Sequence, residues 1–124
     1  MQDFKKLDVW TKAHEITLSV YQATKLFPRE ELFGLTSQMR RCSASMGANI
    51  AEGSGRKSRP DFMRFLHIAF GSACELEYHL ILARDLKYMD STMYKDIEGK
   101  LFTVKRMLSA LMKSVKRAED SESA

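Results

Sequence analysis

Two cysteines, two prolines and six glycines in 124 residues leave few positions at which a covalent cross-link or an unusual backbone could define the fold. Cys42 and Cys74 lie in separate helical patterns and form no CxxC pair, so reduced core thiols are expected rather than a disulfide or a zinc site. No run approaches the roughly 18 apolar residues that span a bilayer. The polar start Met1-Gln2-Asp3 lacks a signal-peptide core, so a cytoplasmic protein without membrane contact is the expectation. Strand-like alternation, internal repeats and domain-separating linkers are also missing, which leaves a single domain built of helices. The absence of GxSxG and of a glycine-rich phosphate loop removes two common routes to catalysis.

What is present is helical periodicity. A hydrophobic fraction of 44% and a charged fraction of 29% suit a soluble globular chain. In the first helix, with Asp8 as the expected N-cap, Val9, Ala13, Ile16, Val20, Thr24 and Phe27 line one face down to Pro28. The second begins between Leu32 and Thr36. Ser58-Arg59-Pro60-Asp61 reads as the start of the third: serine as cap, proline in the first turn, aspartate on the positive end of the dipole. Phe62, Phe65, Leu66, Ala69, Phe70, Ala73, Leu76, Leu80 and Ala83 form its main apolar face, and Ile68, Leu82 and Leu86 a further one. Asp90 or Ser91 caps the fourth, where Tyr94, Ile97, Leu101, Val104, Leu108, Leu111 and Val115 recur at helical spacing. Residues 1–118 are therefore expected to form an all-α, antiparallel up-and-down four-helix bundle, and residues 119–124 a disordered acidic, serine-rich tail.

The second helix is unusually smooth. Leu35, Met39, Cys42, Met46 and Ile50 make its apolar stripe, while Ser43, Ala44, Ser45, Gly47, Ala48 and Ala51 carry almost no side chain. Together with the broad apolar face of the third helix, this surface predicts a homo-oligomer. Gly53 and Gly55 are expected to end the helix in a left-handed cap.

The same stretch carries a resemblance. Leu35-Thr36-x-Gln38-x-Arg40-Arg41, followed by Asn49-Ile50-Ala51-Glu52-Gly53-x-x-Arg56, resembles the signature of the large-subunit ribosomal RNA intervening-sequence (IVS) proteins. Phe4-x-x-Leu7-x-Val9-Trp10 at the front, and Phe62, Gly71-Ser72, Glu75, Glu77 and Asp85-Leu86 downstream, extend it over nearly the whole chain. The resemblance implies a cytosolic four-helix bundle of unestablished activity that assembles as a homopentamer. Two positions depart from it, Gly47 where proline is usual and Lys87 where a helix-ending glycine is common.

Chemistry has few footholds. Glu75 and His79 are one turn apart, but a di-iron bundle needs repeated Glu-x-x-His pairs and Tyr78 stands where the histidine belongs. His14 and His67 have no partner at ligand spacing, and Arg64-x-x-His67 is too short for a helical ribonuclease motif. No catalytic residue, metal or cofactor is expected. Glu77 falls among the core residues of the third helix, so Arg40, Arg41 or Arg84 is expected to meet it in a buried pair. Arg40, Arg41, Asn49, Glu52, Glu75 and Glu77 are expected to form a structural polar network.

Lysine and arginine exceed acidic residues by four, and residues 35–60 alone hold that excess: Arg40, Arg41, Arg56, Lys57 and Arg59 against Glu52. Two basic groups stand out as candidate phosphate contacts. Arg56, Lys57 and Arg59 sit in a glycine-flanked loop before a helix N-terminus. Lys105, Arg106, Lys113, Lys116 and Arg117 occupy one arc of the fourth helix, opposite its apolar stripe. The expected function is a non-enzymatic assembly that binds nucleic acid, RNA by resemblance, through phosphate; no basic surface rich in aromatics is evident for base stacking. The alternative is a protein-interaction scaffold, since the accessory proteins that pair with a reverse transcriptase in diversity-generating retroelements are similar.

Overall fold

The computed structural model describes residues 2–123, which form four α-helices and no strand: α1 Asp8–Thr24, α2 Leu35–Ser54, α3 Arg59–Asp85 and α4 Ser91–Ser123. Short 3-10 turns lie at Phe4–Lys6 and Arg29–Glu31. Helix α1 packs on α2, α2 on α3, α3 on α4 and α4 on α1, while among the described residues the backbones of the diagonal pairs stand farther apart. With short connections, that ring of neighbours is an up-and-down bundle. Its centre is filled by the predicted stripes, among them Ile16 and Val20, Met39, Met46 and Ile50, Leu66, Leu76 and Leu80, and Ile97, Leu101, Val104 and Leu108. No helix among the described residues is long and apolar enough to cross a membrane.

The helix ends explain the chain reversals, with some departures from expectation. Asp8 is the first residue of α1 and not its cap; its carboxylate stands in the first turn, on the positive end of the helix. Glu31 starts α2 by accepting from the Leu35 backbone N–H at 3.2 Å, and its other oxygen accepts from the Tyr88 hydroxyl at 2.9 Å, which ties that end to the α3–α4 turn. Gly55, expected in a left-handed cap, stays right-handed, because Ser58 begins the next helix at once and accepts from the Asp61 N–H at 3.2 Å. Among the described residues the left-handed one is Lys87, with φ 64°. Tyr88 N–H reaches Ala83 carbonyl at 2.9 Å and Lys87 N–H reaches Arg84 carbonyl at 3.0 Å, a Schellman cap made without glycine. Asp90 caps α4 by accepting from Met93 N–H at 2.8 Å.

Helix α4 does not stop at residue 118. It runs to Ser123, so the expected disordered tail is helical over all its described residues, and Ala124 lies outside them. The reason is local: after Gly99 the chain contains no glycine or proline, Lys116 meets Asp120 one turn on at 3.2 Å, and Glu122 pairs with Arg59.

Part of the smooth surface of α2 is used inside the bundle. A Cβ at Gly47 would stand 3.4 Å from Trp10 Nε1 of α1, and one at Gly53 would stand 2.8 Å from Phe65 Cβ of α3. Thr17 of α1 donates to the Ser43 carbonyl at 3.0 Å, and Ser45 meets Ser72 of α3 at 2.9 Å. Ala44 and Ala48 remain exposed. The expectation that both thiols are core residues holds for Cys42 only; Cys74 is exposed, one position beyond the buried Ala73 on α3.

Candidate nucleic-acid interface

Helices α3 and α4 meet along a groove whose α4 wall is basic. Phe70 of α3 and Phe102, Lys105, Arg106, Lys113 and Arg117 of α4 line one section of about 430 Å³. Toward the α4 C-terminus Lys113 and Arg117 continue into a section of about 670 Å³ with Met63, His67, Met112 and Lys116. Toward its N-terminus Phe102 and Lys105 continue into a third, with Glu77 and Glu98. Positions 102, 106, 113 and 117 recur at helical steps, so one face of α4 presents them in a row while Leu101, Val104 and Leu108 hold the opposite face in the core.

The five basic residues of that row differ in what they meet. Lys105 donates to Glu77 at 2.6 Å, and this hydrogen bond holds its pKa above the ordinary lysine value despite the opposing effect of burial. Lys116 is likewise raised by its bond to Asp120. Arg106, Lys113 and Arg117 are exposed and have no ion pair among the described residues. Two aromatic rings stand among them: Lys105 Nζ is 5.6 Å from the Phe70 ring centre, and Arg106 Cζ is 5.9 Å from that of Phe102, which is 62% exposed. This basic, aromatic surface departs from the expectation that none is present. Its signal was present, because Phe102 precedes Lys105 and Arg106 by three and four residues and so shares their arc.

The loop basics are in a different position. Arg56 reaches Glu52 at 2.8 Å and Asp61 at 3.9 Å, and its guanidinium lies over the Phe65 ring. Arg59 pairs with Glu122 at the end of α4. Only Lys57 of the three has no ion pair among the described residues. The loop and the end of α4 close a cleft of about 770 Å³ in which Glu119 and Glu122 stand with Arg56, Lys57 and Arg59, so the two basic groups share one end of the bundle with the acidic segment.

The expected polar network breaks into separate pieces. Arg40 donates to Thr24 Oγ1 at 2.9 Å and lies over the Tyr21 ring. Arg41 bonds Gln38 and reaches Glu75 at 3.3 Å, and Glu75 also meets His79 at 3.2 Å. Asn49 donates to the Ser45 carbonyl at 2.8 Å, joining the serine link to α3. Glu52 serves Arg56. Glu77 is paired with none of the three expected arginines: Arg84 bonds Asp85 and Tyr94, and Glu77 takes Lys105 instead. Nor is it buried, since its side chain is 47% exposed. A helical wheel gives direction but not depth, and α4 covers α3 only up to this edge.

The 23S rRNA-intervening sequence protein family matches residues 5–110 of the chain. A crystal structure of a protein of unknown function from the S23 ribosomal protein family of Bacteroides thetaiotaomicron is similar in fold, with a TM-score of 0.79 and 30% sequence identity over 85% of this chain and 95% of that one. Among curated proteins, none matches. The family match over most of the length, the shared helical architecture and the motif spanning α2 lead to one conclusion: this chain belongs to the 23S rRNA-intervening sequence protein family.

Proposed function

We propose that this protein is a non-enzymatic, homo-oligomeric helical bundle that binds nucleic acid in the cytoplasm through the α4 side of the α3–α4 groove. The observation that carries this reading is the row of Arg106, Lys113 and Arg117, cations without carboxylate partners among the described residues, beside the exposed ring of Phe102. Such a row neutralises phosphates and releases their counterions, so affinity falls with salt and depends little on sequence. The family's link by name to 23S rRNA favours RNA over DNA. Lys105 and Lys116 contribute less because each already serves a carboxylate, and the loop residues Arg56, Lys57 and Arg59 act mainly through Lys57. Fluorescence anisotropy with single-stranded and duplex RNA over a range of salt tests the reading; no binding even at low salt sinks it.

The oligomer is placed on the exposed Ala44 and Ala48 of α2 and on Ile68 and Tyr78 of α3, a smooth strip beside apolar side chains in water. The family resemblance supports a pentamer as its form. Ala48→Glu sets a charge on that strip, and light scattering should then show monomer where the wild type is an oligomer. A protein-interaction scaffold is the second reading. It is favoured by Leu26, Leu32 and Phe33, the last 93% exposed, around the α1–α2 connection.

A further inference from the structure

We propose that Cys42, Glu75 and His79 form a binding site for a thiophilic divalent cation of the zinc class on the seam between α2 and α3. The site is independent of the α3–α4 groove. Glu75 and His79 stand one turn apart on α3, and Cys42 comes from α2, so that one sulfur, one carboxylate oxygen and one imidazole nitrogen lie within 4.8 Å of one another. A tetrahedral zinc ion with bonds of about 2.0–2.3 Å holds its ligand atoms roughly 3.3–3.8 Å apart. Side-chain rotation alone closes a gap of that size.

Two further observations point to a ligand here. The His79 Nδ1 atom is buried and has no hydrogen-bond partner among the described residues, while Nε2 meets Glu75 Oε2 at 3.2 Å. With Nδ1 unbonded, no other side chain fixes the ring through that atom, and Nε2, which faces Glu75, is the nitrogen that can turn from the carboxylate to a cation. Glu75 directs Oε2 to both His79 and Arg41, and its Oε1 has no hydrogen bond among the described residues, which leaves it as a donor for a cation. The carboxylate is 40% exposed, so an ion has a way in and a water can complete the coordination, whereas Cys42 is 1% exposed.

The chemistry is a simple exchange. The Cys42 thiol, pushed up to about 12 by burial and then by the Glu75 charge, with Arg41 opposing, is neutral in the absence of metal and hydrogen-bonds the Met39 carbonyl at 3.5 Å. On binding, the S–H bond breaks, a sulfur–metal bond forms and the proton passes to water; nothing is oxidised or reduced. Thiolate and carboxylate together balance a dication. A sulfur–nitrogen–oxygen set selects zinc or cobalt over magnesium and calcium, which prefer oxygen ligands. Because its ligands come from two helices, the ion clips α2 to α3.

The test uses the full chain, stripped of metal and titrated with Co²⁺. We expect one equivalent to produce a near-ultraviolet sulfur-to-cobalt charge-transfer band with tetrahedral visible bands, all displaced by Zn²⁺, and Zn²⁺ to raise the melting temperature. Cys42→Ser should abolish the charge-transfer band. His79→Gln should weaken binding by more than the roughly 10- to 100-fold that loss of a mere supporting contact costs. His67→Gln should change nothing. Absence of the band in the wild type overturns the site, and so does its persistence in Cys42→Ser, which would assign it to Cys74. If Cys42→Ser does not fold, unchanged Co²⁺ affinity in His79→Gln overturns it equally.

Discussion

The loop at residues 55–59 and the outer face of α4 carry the same kind of residue and offer very different charge. In the loop, Arg56 has two carboxylates within 3.9 Å and Arg59 is held by Glu122. On α4, Arg106, Lys113 and Arg117 point into a groove with no acid paired to them among the described residues. The lesson is that the formal charge of a patch is not the charge a ligand meets. Exposed pairs of this kind add only about 0–1 kcal/mol to stability, so they matter less for folding than for what they withhold from a phosphate.

The largest effect that sharpens this contrast is expected from Phe102→Ala. If the ring takes a stacked base beside the α4 cations, single-stranded RNA should lose about 1–3 kcal/mol of binding and duplex RNA almost none, measured by anisotropy on matched oligonucleotides. Equal losses on both would reduce Phe102 to packing. Next comes Glu122→Gln, which should release Arg59 and raise RNA affinity by roughly fivefold near 0.1 M salt, the value of about one added phosphate contact on a single strand. The melting temperature should barely move. No gain in affinity would mean the loop is silent for a reason other than its acids. The smallest effect concerns Glu77→Gln, where thermal denaturation should show a loss below about 1 kcal/mol, because the carboxylate is half exposed. Its sign with pH follows from Lys105, whose raised pKa makes the pair's contribution complete below the ordinary value of 10.5 and lost as pH rises through the higher native value. A loss of several kcal/mol would restore the buried pair that the sequence suggested.

Much of the bundle was legible because a period of 3.6 names a face. Val9, Ala13, Ile16 and Val20 were placed in the core from spacing alone, and Ser58 was identified as a cap from its proline and aspartate neighbours. What spacing cannot supply is the partner from another helix. Glu77 looked central on its own helix, yet its depth depends on how far α4 reaches across α3. Glu122 neutralises Arg59 across most of the chain, and Cys42 joins Glu75 and His79 only once α2 lies against α3. Lys87 shows a related limit, since a cap normally left to glycine is held by two backbone bonds that no local rule assigns to lysine.

The most direct test of the account is the salt dependence of RNA binding in three proteins: wild type, Lys113→Gln with Arg117→Gln on α4, and Arg56→Gln with Lys57→Gln in the loop. On single-stranded RNA the log–log slope should fall by about 1.4 in the α4 variant, two contacts at about 0.7 each, and by no more than about 0.7 in the loop variant, where only Lys57 is unpaired. A slope unchanged by the α4 substitutions, or reduced more by the loop pair than by the α4 pair, would contradict it.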